Sequence, residues 1–308
     1  MLFYIGALID RGEDSFRLNT NSDTSTYQAF SLHKSQSYAN IQPFNCIDQY
    51  LARLNQLEIQ FNQFKNEGCK TETSYQLLNE LKDMLAHSKK SKRTDDIKML
   101  QLRVCSILNT LLIDNRDCVN VVIESGIIDE VLSVINLILI SQIQIAHLLP
   151  LHKFFEICSS QQQLLFVDKG IIPTIRRLLD SLNEVCLKIA VGIIKRIIHA
   201  SQEQSSIGAQ IDIKKIIESD GTLDKLVSLL QNDEFQDQEV NQNAALAIGL
   251  TFKASPLPKE FRNEVILTIK KVANNDDQYI SSIAICVLAG LAECQDNHAD
   301  ILSANFPV

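Results

Sequence analysis

The sequence of 308 residues contains no tryptophan and has only 10 glycines and 6 prolines. Hairpins and glycine-rich phosphate-binding loops need these turn residues, so their scarcity argues against most mixed and all-β folds. The motifs GxG, GxxxxGK, GxSxG and HExxH are all absent. Nucleotide cradling, serine hydrolysis and zincin chemistry therefore lack the geometry that they need, and the sequence predicts no catalytic residue and no cofactor.

Metal-binding and disulfide patterns are missing too. The eight cysteines form no CxxC pair and lie mostly in apolar helical stretches, which is typical of buried thiols in a reducing compartment. We therefore expect a cytoplasmic protein, with the nucleus as the second location. His147, His152 and Cys158 could suggest zinc, but Pro150 interrupts the five-residue step between the histidines and separates their helical faces. No metal site is predicted.

A membrane-spanning segment is also not expected. The apolar run at 1–9 has no basic region before it and no clear cleavage site after it, unlike a signal peptide. The stretch 131–152 carries no charged side chain and is long enough for a hydrocarbon core of ~30 Å. Several polar residues and Pro150 interrupt it, so we interpret it as two buried helices joined near Ser141.

The charge balance disfavours nucleic acid as a ligand. The chain has 29 Lys plus Arg against 37 Asp plus Glu, a net charge of −8, and it lacks a basic stripe rich in aromatic residues. One basic run, KKSKR, comprises Lys89, Lys90, Lys92 and Arg93. It is interpreted first as a solvated loop between two helices, and alternatively as a nuclear localisation signal.

Hydrophobic periodicity divides the chain into three parts. Residues 1–45 include a segment that is dense in Ser, Thr and Asn without a sustained apolar period, and we expect a flexible lead-in there. Residues 46–94 carry two helical patterns, which predict a helical pair that caps an array. Residues 95–308 form an almost unbroken series of helical patterns that we expect to end within a repeat. The predicted fold class is all-α.

The helices repeat with a shared glycine corner. VIESGIIDEVLSVI, FVDKGIIPTIRRLL and IESDGTLDKLVSLL place Gly126, Gly170 and Gly221 at spacings of 44 and 51. Glycine accepts positive φ and can close one helix before the next begins. Each unit would expose an apolar face that only its neighbours can bury, as in a helical solenoid.

The segments GIIP, GTLDKLVSLL and VNQNAALAIGL resemble armadillo repeats, over about two thirds of the chain. The resemblance implies a right-handed α-solenoid of about five three-helix repeats, in which the third helices line a concave groove, and a HEAT-like assignment stays open for some repeats. It also implies a test, because the groove of importin-α has Trp and Asn four residues apart on successive third helices. In this sequence those positions hold Ser106 and Thr110, Pro150 and Phe154, Gly192 and Arg196, Leu246 and Leu250, and Cys286 and Gly290. A receptor of the importin-α type is therefore disfavoured.

Charged residues identify a candidate groove. A basic patch on one third helix and an amide on the next are predicted to contact a partner; they are Lys188, Lys195, Arg196, His199 and Asn243. An acidic corner precedes the second of these helices, at Asp233, Glu234, Asp237 and Glu239. These charges are either the solvated faces of ordinary amphipathic helices or a bipolar groove that orients a partner peptide or helix. The insertion 199–210 is either tolerated surface or a partner contact.

Two classes of function remain. The preferred one is a non-enzymatic scaffold that binds a protein segment along the concave groove. The alternative is the regulatory or targeting region of a larger multidomain protein, such as a kinase or ubiquitin-ligase subunit, whose catalytic part lies elsewhere. A reading frame that continues past Val308 would favour the alternative.

Two structural expectations follow from the assigned register. Four residues should be buried between stacked helices, namely Leu226, Leu229, Leu246 and Ile248. At the C-terminal edge, the segment 301–308 resembles another corner, with Asn305 in the glycine position. The final long helix would then leave Ile283, Val287 and Leu291 uncovered, as a contact for further repeats or for another chain.

Overall fold

The computed structural model describes residues 47–64, 72–90, 94–113, 115–232 and 237–303. Within these ranges the chain forms fifteen α-helices and four short 3₁₀ helices, and it forms no β-strand. The predicted lead-in at 1–45 lies outside the described residues, as do Lys92, Arg93, Asp233, Glu234 and Asn305.

The helices range in length from 5 to 21 residues. Their bounds are α1 Ile47–Phe64, α2 Glu72–Lys90, α3 Asp95–Leu112, α4 Val119–Ser125, α5 Ile127–Leu137, α6 Ile145–Ile157, α7 Ser160–Leu164, α8 Ile171–Arg176, α9 Glu184–Gln204, α10 Lys214–Ser219, α11 Thr222–Leu230, α12 Gln238–Thr251, α13 Arg262–Ala273, α14 Gln278–Ala292 and α15 His298–Leu302. The 3₁₀ helices are Arg116–Cys118, Ile140–Gln142, Arg177–Asp180 and Gln295–Asn297.

Six of the longer described helices stack into one layer. Helix α1 packs on α3, α3 on α6, α6 on α9, α9 on α12, and α12 on α14; we call this row the third-helix layer. A second row begins with α2 on α5 and α5 on α8. Short helices such as α4, α7 and α10 turn the chain from one layer to the other. One continuous hydrophobic core runs from Tyr50 to Ile301, so the helical pair at 46–94 shares its core with the array.

The three predicted glycine corners adopt the left-handed conformation. Gly126, Gly170 and Gly221 have φ of 71°, 80° and 80°, and each directly precedes α5, α8 or α11. An L side chain at such a φ costs about 1–2 kcal/mol. At Gly221 space is short as well, because an added Cβ would lie 3.3 Å from Nη2 of Arg176. The corner role predicted for these glycines is confirmed.

The uncharged stretch 131–152 is two helices, as predicted. Helix α5 ends at Leu137, a 3₁₀ turn covers Ile140–Gln142, and α6 begins at Ile145. Among the described residues no single helix has the length and apolarity to cross a bilayer. Taken together, Gln278–Ala292 and Gln295–Leu302 meet the length and composition criteria, but they are bent by 119° at their junction.

Burial supports the assigned register in the array. Leu226, Leu229, Leu246 and Ile248 are all buried between stacked helices, which confirms the prediction for these four residues. At the centre of the array, Phe154, Phe155 and Phe166 are buried in edge-to-face contact, with ring centroids 5.1–5.9 Å apart.

The expectation for the C-terminal edge is wrong for two of its three residues. Val287 and Leu291 are fully buried, and they face back into the array. An added Cβ at Gly249 of α12 would lie 2.5 Å from Cγ1 of Val287 and 3.6 Å from Cδ1 of Leu291. Ile283 is partly buried. Because α14 is apolar on most of its circumference, its sequence pattern does not indicate which face meets the preceding repeat.

Most described cysteines are buried thiols, as predicted. The four buried ones are Cys105, Cys118, Cys158 and Cys186. Burial raises the pKa of Cys105 and of Cys158 to about 12, so both thiols stay protonated. The expectation of a buried thiol is wrong for Cys286, because this residue is exposed on α14.

Candidate partner-binding groove

Helix α9 forms one wall of the candidate groove. Its N-terminus is capped by Asn183, whose side chain accepts a hydrogen bond of 3.1 Å from the Cys186 backbone N–H. Most of its aliphatic residues are buried in the core, whereas a stripe of partly exposed positions faces outward at helical spacing. That stripe comprises Lys188, Gly192, Lys195, Arg196 and His199.

Helix α12 forms the opposite wall. Its N-terminus is capped by Asp237, which accepts a hydrogen bond of 3.0 Å from the Val240 backbone N–H. Between α9 and α12 lies a cavity of about 310 Å³, which we call the α9–α12 cleft. The cleft is lined by His152, Val185, Lys188, Ile189, Gly192, Lys195, Arg196, Glu239, Gln242, Asn243, Leu246, Val272, Tyr279, Ile280 and Ile283.

The fold brings the predicted groove residues together. Four of the five line the α9–α12 cleft, and the Lys195 ammonium donates a hydrogen bond of 2.6 Å to Oδ1 of Asn243 across it. The fifth, His199, follows Lys195 by one turn, with its Nδ1 3.6 Å from Oε1 of Glu203. Their role in binding a partner stays a prediction.

Acidic residues neutralise one end of the basic stripe. Nζ of Lys188 lies 2.6 Å from Oδ2 of Asp237, 3.5 Å from Glu184 and 4.0 Å from Glu239. The hydrogen bond with Asp237 raises the pKa of Lys188. Burial opposes ionisation of Asp237, yet the hydrogen bonds that it accepts, first from Lys188, lower its pKa to about 2. In the described part of the acidic corner, acids and bases are therefore paired rather than separated into two poles.

The other end of the stripe is poorly compensated. Burial, together with the adjacent Arg196 charge, lowers the pKa of Lys195 to about 8, although Glu239 opposes the shift. Burial also lowers the pKa of His152, with a further contribution from Arg196. The pKa of His199 is lowered by burial in the same way, against the opposing charge of Glu203. The two imidazoles are thus disposed to be neutral at physiological pH.

The ladder positions show how this groove differs from one that carries a Trp/Asn ladder. Phe154, Leu246 and Leu250 are buried in contact with neighbouring helices. Gly192 and Arg196 are only partly buried and line the cleft, to which the buried Leu246 also contributes. Nothing lies within 4 Å of the Cβ that a side chain would add at Gly192, so the position that would hold Trp is open space.

Sequence reasoning missed the wall contributed by α14. Tyr279, Ile280 and Ile283 complete the cleft, and Tyr279 is 68% exposed. The available signal was the repeat itself, because α14 follows α12 in the third-helix layer and should face the same groove.

The insertion 199–210 is fixed to the following repeats. Helix α9 continues to Gln204, and the loop after it is held by the buried ammonium of Lys253, which donates to the carbonyls of Ser206 at 2.6 Å and Ala209 at 3.0 Å. Glu293 lies 3.0 Å from the same ammonium and accepts a hydrogen bond of 2.8 Å from the Gly208 N–H. A partner contact by this loop stays a prediction.

The basic run 89–93 is described only in part. Lys89 forms an ion pair with Glu130, and Lys90 is exposed at the end of α2. Its use as a localisation signal stays a prediction.

The histidines considered for zinc have separate environments. His147 is buried, and its Nδ1 accepts a hydrogen bond of 3.0 Å from the Gln144 backbone N–H at the start of α6. His152 lines the α9–α12 cleft instead. Within the described ranges, no group of three or more His, Cys, Asp or Glu residues has a metal-binding arrangement.

No protein-family model matches the sequence, and no curated protein matches it significantly. Among solved structures, a designed armadillo repeat protein is similar, with 18% identity, 80% of this chain and 99% of that chain covered, and a TM-score of 0.51. A second designed armadillo repeat protein, in complex with a (KR)4 peptide, has 18% identity, the same coverages and a TM-score of 0.49. An engineered protein is similar with 17% identity and a TM-score of 0.49, and the match covers 83% of this chain and 93% of that chain.

The first of these similarities confirms the predicted fold class. The chain is an all-α solenoid of armadillo-like repeats, and within the described residues α3, α6, α9, α12 and α14 take the place of third helices. The low identity fits repeats that are degenerate in sequence. At this identity the similarity establishes the fold, and it carries no partner with it.

Proposed function

We propose that this chain is a non-enzymatic scaffold that binds a segment of a partner protein along the third-helix layer, with the α9–α12 cleft at the centre of the contact. The observation that carries the proposal is the convergence of Lys188, Lys195, Arg196 and Asn243 on one cleft between adjacent third helices. These residues come from two repeats, about 50 positions apart in sequence, and they meet only because the array folds.

The chemistry of the cleft suits a peptide or a helix. The charged and amide groups of its lining come mainly from α9 and α12, whereas aliphatic and aromatic groups come from α9, α12 and α14. A peptide that inserts one side chain between these walls meets both kinds of surface, as in the groove-binding modes of other proteins. The exposed ring of Tyr279 at the rim adds the kind of rigid aromatic surface that is enriched at interfaces.

Arg196 and Lys195 are the expected centre of the binding energy. Arginine is over-represented among residues whose loss costs an interface most, and such residues lie near the middle of a contact in partly desolvated pockets. Replacing both residues by glutamate should weaken association by ~1–3 kcal/mol while leaving the helical content unchanged.

Affinity capture followed by mass spectrometry tests the proposal. The bait is the full chain in three forms: wild type, Lys195→Glu/Arg196→Glu, and a control, Lys259→Glu/Lys271→Glu. The control changes the net charge equally, but at two exposed positions outside the cleft. Partners that bind through the groove should be lost from the first variant and retained by the control.

Circular dichroism on all three forms verifies that the helices are intact. If the wild type and both variants capture the same proteins in the same amounts, the groove does not bind them and the proposal is wrong.

A further inference from the structure

The charges of the α9–α12 cleft suggest what kind of group enters it. Three Lys or Arg side chains line the cleft, and one of them, Lys188, already has carboxylate partners at its own end. Lys195 instead contacts a neutral amide oxygen, that of Asn243. Arg196 has neither a carboxylate within 4.0 Å nor a hydrogen-bond acceptor in the part of the chain that the structure describes.

Lys195 and Arg196 are therefore adjacent cations without a compensating anion. Other charged groups are nearby but farther than an ion-pair distance: Glu239 on α12 acts on Lys195, and Glu156 on α6 is held by Lys153 at 2.7 Å. Like charges held together in a partly dehydrated place raise the free energy of the empty site. An anion placed between them would relieve that repulsion.

The space for such an anion comes from Gly192. This residue precedes Arg196 by one helical turn, and the volume that a side chain would fill there is open. A ligand can therefore approach the backbone of α9 next to the guanidinium. The planar fork of arginine matches the two oxygens of a carboxylate or a phosphate, and charge-assisted hydrogen bonds of this type are the stronger ones.

The aliphatic lining of the cleft restricts the kind of molecule that can carry the anion. Ile280 and Ile283 of α14 and Ile189 of α9 line the cleft beside the cations. A free ion would leave these aliphatic groups uncovered, whereas a peptide that places an apolar side chain next to an acidic one would contact both surfaces.

We propose that Lys195 and Arg196 form an oxyanion-binding site that receives the carboxylate or phosphate group of an acidic peptide segment. This inference deepens the proposed function and rests on it, because it names the chemistry of the partner at the same groove. A carboxylate and a phosphate both present negatively charged oxygens to these two side chains. The carboxylate would come from an Asp or Glu of the peptide, and the phosphate would come from a phosphorylated residue.

Selection from a peptide library tests the inference. Immobilised full-length chain is incubated with random heptapeptides that include phosphoserine, and the bound peptides are sequenced. The proteins are wild type, Arg196→Gln, Lys195→Met/Arg196→Gln, and the control Lys259→Gln/Lys271→Gln. Arg196→Gln removes a partly buried side chain that makes no hydrogen bond and no ion pair within the described residues, so this variant should fold even if the double variant does not.

We expect the wild type and the control to enrich an acidic or phosphorylated residue next to an apolar one. Arg196→Gln should lower affinity for the enriched peptide roughly tenfold or more, as for the loss of hydrogen bonds to a charged group. Its affinity for the same peptide with Gln in place of the acid should be unchanged. Preference for phosphoserine would identify phosphorylation as the source of the anion, and preference for Asp or Glu would identify a constitutive acidic segment.

The outcomes separate this inference from the proposed function. Selection of peptides without an acidic preference would overturn the oxyanion site and leave groove binding intact. If no peptide is selected, inorganic phosphate is the second probe: a rise in melting temperature for the wild type that Arg196→Gln lacks would support the anion site and count against peptide binding. No selection and no phosphate effect would overturn both.

Discussion

Two glycines within third helices should respond to the same substitution with opposite effects. Gly249 of α12 and Gly192 of α9 both lie in helix interiors, where replacing Gly by Ala stabilises a helix by about 0.5–1 kcal/mol. At Gly192 nothing lies within 4 Å of the added Cβ. At Gly249 the added Cβ would lie 2.5 Å from Cγ1 of Val287 and 2.8 Å from Cδ1 of Ile269.

The magnitude follows from the difference between the two sites. Overpacking a well-packed core costs about 1–3 kcal/mol, and Val287 has little freedom to rotate away because it is β-branched. The gain in helix propensity is common to both variants and cancels when they are compared. Gly249→Ala should therefore have a free energy of unfolding about 1–3 kcal/mol below that of Gly192→Ala, which itself should be more stable than the wild type.

Urea denaturation followed by circular dichroism measures both values, and a double-mutant cycle identifies the contact. Val287→Ala deletes the methyl group that the new Cβ would meet, so it should recover part of the loss in the Gly249→Ala background, with a favourable coupling of roughly 0.5–3 kcal/mol. Equal stabilities for the two glycine variants, or a coupling of zero, would refute the close approach of α12 and α14.

Three further perturbations test the register, the electrostatics and the corners. Leu246→Ala should cost ~2–5 kcal/mol in urea denaturation, because the side chain is buried between repeats; a loss under ~1 kcal/mol would contradict that burial. The pKa of Lys195 is lowered from 10.5 to about 8, so the unfolded state binds more protons between these pH values and wild-type stability should rise with pH there. Lys195→Met should lack this rise, which is at most ~3 kcal/mol; parallel pH curves for the two proteins would argue against the shift. Gly170→Ala should lower the melting temperature through strain of about 1–2 kcal/mol at a φ of 80°, and an unchanged melting temperature would speak against the left-handed corner.

The corners and the repeat could be predicted because they have local causes. A residue with positive φ between two helices is usually glycine. The presence of Gly126, Gly170 and Gly221 between helical patterns therefore indicates the left-handed conformation directly from the sequence. The break near Ser141 could be predicted for a similar reason, since polar residues interrupt an otherwise apolar stretch.

The facing of α14 could not be predicted. A helix that is apolar on most sides has no clear hydrophobic periodicity, so its sequence does not identify the buried face. The shape of the neighbouring helices determines which face is buried. Gly249 creates the depression that accepts Val287 and Leu291, but a lone glycine in a helix has no such meaning until its partner helix is known.

The residues of the candidate site could be predicted from the sequence, but the ion pairs that they form could not. The helical spacing of Lys188, Lys195 and Arg196 places them on one face of α9 from sequence alone. Which of them has a carboxylate partner depends on the position of Asp237 and Glu239 on the next helix, and therefore on the stagger between repeats. That stagger is a property of the assembled array.

The loop after α9 should change how the array unfolds. In most solenoids each repeat contacts only its neighbours, so the free energy is a sum of nearest-neighbour contributions and the ends fray one repeat at a time. Here the backbone at Gly208 bonds to Glu293, beyond the end of α14, and Lys253 of the intervening repeat joins both. These bonds connect three successive repeats. Opening any of the three repeats breaks bonds made by the others, so the C-terminal half should unfold as one cooperative unit, with backbone amides that exchange at a common slow rate.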